Sequence, residues 1–180
     1  MDTSAERSLT YSVFVTNWEI ECCGAPPAVG DEVCWTLELR GPEELTPSWP
    51  AEVMTRVPAQ TPEPLASGGG SLVRIGALSA SVEGSAHPAE GLLCEAHHTI
   101  APDVPATTGL VERVELAACQ YSLGEDRCWR PVSGSLTLSP LQRSPAHFSF
   151  PRGETTTGEL GVLVSLRLLP SSTSRAVRAA

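Results

Sequence analysis

The chain has 180 residues, is 41% hydrophobic and carries a formal net charge of −9. That length is one ordinary domain with material for a real core. Its acidity runs against binding of a phosphate backbone, which calls for a basic surface, so nucleic acid is not an expected partner.

No run of about 18 apolar residues occurs, so no membrane span is expected. The start, Met1-Asp2-Thr3-Ser4-Ala5-Glu6-Arg7, is polar and lacks the apolar stretch of a secretory signal. A cytoplasmic protein is the simplest reading. All 12 basic residues are arginine, and Ala, Gly, Pro and Val are abundant. That composition looks like the coding bias of a high-GC bacterium.

In chain order, residues 1–8 read as a disordered tail and 9–170 as a single β-rich domain. Tyr11 to Thr16 alternates with period two, as a strand does. Val33, Trp35, Leu37 and Leu39 alternate with Cys34, Thr36, Glu38 and Arg40, a half-buried strand entered through Gly30-Asp31. Residues 41–71 hold six prolines and Gly68-Gly69-Gly70. They read as a long Pro/Gly-rich insertion loop or linker, with at most one turn or short helix near Leu45 to Thr55.

Leu72 to Val82 reads as a third strand with Gly76 as a bulge, and Gly91 to Ile100 as a fourth, carrying Cys94, His97 and His98. Leu110 to Tyr121 is a fifth of imperfect alternation, and Ser135 to Leu138 is a short one. Leu160, Val162, Val164, Leu166 and Leu168 make a last strand with one apolar face. Residues 171–180 read as a second disordered tail. No window shows a sustained helical stripe. The expected fold is mostly β with little helix, a small barrel or a sandwich.

Six cysteines are present: Cys22, Cys23, Cys34, Cys94, Cys119 and Cys128. In a reducing compartment they are not expected to form disulfides, and a bond between the neighbours Cys22 and Cys23 would be strained. Cys22-Cys23 lies before Gly24-Ala25-Pro26-Pro27, where a turn lets neighbours face one ion. Cys94 and His97 have a C-x-x-H spacing. The expected metal site therefore draws on Cys22, Cys23, Cys94, His97 and His98, and Zn²⁺ suits thiolate with imidazole. The bland reading is that these cysteines pack as small hydrophobes and the histidines bond locally.

Several of these stretches resemble an uncharacterised domain family of high-GC bacteria with a CCG…HH pattern. Trp18, Cys22-Cys23-Gly24-Ala25-Pro26, Val29-Gly30-Asp31 and Val33-Cys34-Trp35-Thr36-Leu37 look like its opening block. Glu95-Ala96-His97-His98, Pro105, Thr108 and Gly109 resemble a second block, and Gly158 to Val164 a closing strand. The likeness spans about residues 11 to 169. Ala96 departs from it where an acidic residue is expected. The resemblance implies a coherent fold and a shared Cys/His arrangement, and no activity.

Three functions follow. A non-enzymatic binding or adaptor module with a structural Cys/His zinc site is preferred. The alternative is a Cys/His-dependent hydrolase or transferase, in which Cys22 or Cys23 attacks, His97 or His98 takes the proton, and Glu95 or Asp103 orients the base. No motif of a known cysteine hydrolase surrounds either thiol, and the glycine run lacks the Lys-Ser/Thr of a phosphate loop. A protein partner could dock through Trp49 in the Pro-rich stretch, or that indole could pin the loop to the body.

Overall fold

Apolar alternation drives most of the chain into strands. The computed structural model describes residues 9–22, 24–97, 103–153 and 156–169. Its strands are β1 (Thr10–Thr16), β2 (Glu32–Trp35), β3 (Leu37–Arg40), β4 (Thr55–Arg56), β5 (Glu63–Pro64) and β6 (Gly70–Ile75). Then come β7 (Leu78–Glu83), β8 (Glu90–Glu95), β9 (Thr107–Leu123), β10 (Trp129–Pro131), β11 (Thr137–Leu141) and β12 (Thr157–Leu168). One short α-helix, α1 (Asn17–Cys22), follows β1 directly. The protein is mostly β, as expected.

The strands form a single 12-stranded sheet with the main order β10-β9-β12-β1-β8-β3-β7-β6-β5. It does not close into a barrel. β9 pairs with β12 along one edge and with β2, β11 and β10 in succession along the other. Both ends of the order are short strands with a proline, Pro64 in β5 and Pro131 in β10. Such ends offer little free edge to another chain. β1 runs parallel to β8, with Val13 opposite Leu93 and Phe14 opposite Cys94. No helix among the described residues is long and apolar enough to cross a membrane.

The sheet buries both faces. One face carries the larger cluster, which includes Val13, Val15, Leu37, Leu39, Leu93, Val162, Val164 and Leu166. The other carries Phe14, Leu92, Cys94, Ala117 and Leu163. Leu45, Trp49, Val53 and Met54 from the Pro-rich stretch close over this second cluster, with Leu136 and Leu138. The indole of Trp49 is half-buried, its ring centroid 4.7 Å from that of Phe14 at 57°. Of the two roles read for Trp49, the contact seen is the pin to the body.

Several local expectations change. Leu72 to Val82 is a hairpin rather than one bulged strand: Gly76 has φ +61°, and β6 and β7 pair across it. The strand read over 33–40 is two, because β2 pairs with β9 while β3 pairs with β8. The turn or short helix read near residues 45–55 is the 3-10 turn Ala51–Val53, and a second 3-10 turn, Pro42–Glu44, precedes it. Prolines at this density leave no room for the repeated hydrogen bonds of an α-helix.

The last strand does not keep five residues on one face. Its register with β9 shifts between Glu159 and Gly161, so Leu160 is bulged. Leu160 therefore packs with the Phe14 cluster, while Val162 lies in the other. A second shift, between Ser165 and Leu166, leaves Glu112 as the extra residue of β9. That is why Val111 and Val114, of opposite parity, face the same core, and why the alternation of this stretch is imperfect.

Gly161 has φ +144°, and a Cβ there would collide with the Val15 carbonyl oxygen. Gly134 has φ +74° with open space around it. Gly161→Ala is expected to cost about 3 kcal/mol in urea unfolding, and Gly134→Ala only about 1 kcal/mol. Trp49→Ala is expected to cost about 2 kcal/mol by the same measurement, because the Phe14 ring is left uncovered.

Candidate functional site

The site follows from the parallel pairing of β1 and β8. Parallel neighbours finish at the same edge of a sheet. Continued from Phe14 opposite Cys94, the register sets Val15 level with Glu95 and Thr16 level with Ala96. β1 then turns into α1. The Thr16 hydroxyl caps the new helix by accepting the Glu19 backbone N–H at 3.2 Å. Asn17 ties the helix start to β12 by donating its side-chain amide to the Glu159 carbonyl at 3.1 Å. The helix closes where Gly24 N–H donates to the Glu19 carbonyl at 2.9 Å, and a Cβ on Gly24 would collide with that oxygen.

This arrangement sets the Glu19 side chain against the end of β8. The His97 Nδ1 lies 2.7 Å from Glu95 Oε1 and 3.2 Å from Glu19 Oε2. The His97 backbone N–H also donates to Glu95 Oε1 at 3.0 Å. Glu19 and Glu95 are buried, 4% and 3% exposed, while the His97 side chain keeps 37% of its surface in solvent. One oxygen, Glu95 Oε2, is buried with no hydrogen-bond partner.

Burial pushes the Glu95 carboxyl above the usual carboxylate range. Its hydrogen bond to His97 and the nearby imidazole charge pull it back, and the Glu19 charge raises it further. The three side chains each offer a donor atom, all within 4.8 Å of one another, a span that one ion can bridge. Among the described residues no other group of His, Cys, Asp or Glu is this close.

The sequence-derived set fares unevenly. His97 is in the cluster. Cys23 and His98 lie outside the described residues. Cys22 is exposed at the end of α1 and is not part of the cluster. Cys94 is buried on the opposite face of the sheet, packed with Phe14, Leu92 and Leu163. Neighbours on a strand point to opposite faces, so Cys94 faces away from Glu95 and does not accompany the cluster. Burial pushes the Cys94 thiol up to about 12, opposed by the charge of Arg40. Glu95, read as an orienter of a base, does contact His97. Asp103, the other candidate, instead accepts the Ala66 and Ser67 backbone N–H groups at 2.7 and 3.3 Å.

Glu19 is absent from the sequence-derived candidates. Two signals in the sequence point to it and to its partner. Thr16-x-x-Glu19 is the spacing of a helix-capping box. Glu95-x-His97 is the spacing that puts two side chains on one face of an extended chain.

The fold and the cluster together define a mostly β, single-sheet protein with a carboxylate–imidazole centre at the shared end of two parallel strands. The chain belongs to DUF6578, a family of unknown function, which it matches over residues 9–168. No curated protein and no solved structure matches it.

The Cys94 thiol should resist iodoacetamide at neutral pH in the folded chain and react only after unfolding, because the thiolate is the reactive form. Mass mapping of native and urea-treated protein checks this. Rapid native alkylation at Cys94 would contradict its placement.

Proposed function

We propose that the chain is a non-enzymatic binding module whose centre is the Glu19–Glu95–His97 cluster and whose ligand is a cation. The convergence of two buried carboxylates on one half-exposed imidazole carries this reading. Carboxylates taken out of water are stable only beside opposite charge or full hydrogen bonding. The exposed edge of His97 gives a ligand a way in. Zinc, the ion expected from the sequence, belongs to this proposal with carboxylate donors taking the place of thiolates.

A cytoplasmic setting fits the reading, since the described cysteines are free thiols. A protein partner gripping Trp49 is the lesser form of it, because the indole would have to leave Phe14.

One contact favours the catalytic alternative. Glu95 at 2.7 Å from the His97 Nδ1 is the geometry of a carboxylate orienting a general base. A hydrolase or transferase of this kind needs an activated thiol, and of the two read as nucleophile, Cys22 and Cys23, the described one, Cys22, is exposed. Selective alkylation of Cys22 at neutral pH, slowed by His97→Ala, would support catalysis over binding.

The binding reading is tested by thermal melts of the purified chain with divalent metal ions and, separately, with spermidine and choline. A cation at 100 times its Kd adds about 2.7 kcal/mol and raises the midpoint by several degrees. The expected result is such a rise with at least one cation, abolished by Glu95→Gln. A midpoint that no cation moves would contradict the proposal.

A further inference from the structure

We infer that the cation is a divalent metal ion of the Zn²⁺, Mn²⁺ or Fe²⁺ class, bound by the carboxylates of Glu19 and Glu95 and by Nδ1 of His97. This rests on the binding-module reading and names its ligand. Three observations decide the class.

The first is spacing. Donors bonded to one ion at about 2.1 Å stand about 3 Å apart when they are adjacent in its coordination shell. The His97 nitrogen lies 2.7 and 3.2 Å from its two carboxylate oxygens. Those separations already match the edges of such a shell. The ion takes the place of a proton between the nitrogen and the oxygens, with little movement of the side chains. The nitrogen must be unprotonated to bind, so metal entry releases any proton held there.

The second is the orphaned oxygen. A proton on Nδ1 can serve Glu95 Oε1 and Glu19 Oε2. It leaves Glu95 Oε2 buried without a partner. An ion held by both oxygens of the Glu95 carboxylate gives that atom a ligand bond, a common mode for carboxylates. Glu95 is almost wholly removed from solvent, so water does not offer this contact instead.

The third is size and donor type. The donor atoms lie within 4.8 Å of one another. A bare ion fits between atoms this close, whereas a guanidinium or a methylated ammonium does not. Two carboxylates and one imidazole nitrogen suit zinc, manganese and ferrous iron. Among the described residues no thiol joins the cluster, and the Cys94 thiol faces the other side of the sheet, so nothing there favours a thiophilic ion such as Cu(I). Calcium prefers an all-oxygen shell of six or more ligands, which the imidazole breaks.

The experiment uses the full chain after chelator treatment. Mn²⁺ binding is read by loss of the free-ion electron paramagnetic resonance signal, and Zn²⁺ by competition against bound Mn²⁺. The expected result is one ion per chain, with affinity reduced at least tenfold in Glu19→Gln, Glu95→Gln and His97→Ala. Glu95→Gln keeps the side-chain shape and should melt no lower than the parent in chelator, so its loss of metal reports on ligation rather than folding. Absence of binding at millimolar Mn²⁺ and Zn²⁺ would overturn the inference, and so would binding undiminished in Glu95→Gln and His97→Ala. If spermidine or choline alone stabilises the chain through Glu95, the metal inference fails while the binding reading stands. If no cation stabilises it, both fail.

Discussion

The parallel pairing of β1 with β8 is the constraint on which the rest depends. It is an uncommon choice in a sheet otherwise built almost wholly from antiparallel neighbours. It brings two strands from distant parts of the chain to one edge. Beyond that edge, β1 turns into a helix capped by Thr16, and the chain leaves β8 through Ala96 to a turn at His97. Antiparallel pairing would have sent Glu19 and His97 to opposite ends of the sheet. The centre exists because both chain directions agree.

The second demand on the fold is cover. A sheet with Val13 and Val15 on one face and Phe14, Leu92 and Leu163 on the other must hide both. The Pro-rich stretch does this for the second face without a regular element of any length. Its 3-10 turns and Trp49 lay apolar side chains over Phe14, and their backbone stays at the surface, where water satisfies it. What reads as a linker by composition is thus part of the packing. Gly161 plays a related part on β12. Its bulge turns Leu160 toward the second face and lets β1 approach closely at Val15.

Much of this is legible from period two alone. Tyr11 to Thr16 and Leu160 to Leu168 lie in strands, and Val33 to Arg40 lies in two that break at Thr36. The failures have physical causes. Bulges at Glu112 and Leu160 reverse parity, and nothing in a pattern of apolar residues marks where parity reverses. Helix α1 is too short to show a 3.6-residue stripe. For the site, residue type points to His97, but adjacent thiols are conspicuous ligands and draw attention to the cysteines. Parity argues otherwise. Cys94 shares a face with Leu92, and Glu95 shares one with Leu93 and with the core. Glu19 reaches the cluster only through the long-range register of β1 and β8, which no local spacing encodes.

A buried carboxylate pair is costly to a fold unless something answers its charge. Here the answer comes partly from His97, and the unpartnered Glu95 Oε2 marks what the imidazole leaves undone. The central claim is that a metal ion completes the arrangement. Crystals of the full chain grown with Mn²⁺, measured for anomalous scattering, test it most directly. The account predicts one strong peak bonded to Glu19, Glu95 and His97. A peak held by other residues alone, or none in a well-ordered cluster, would contradict it.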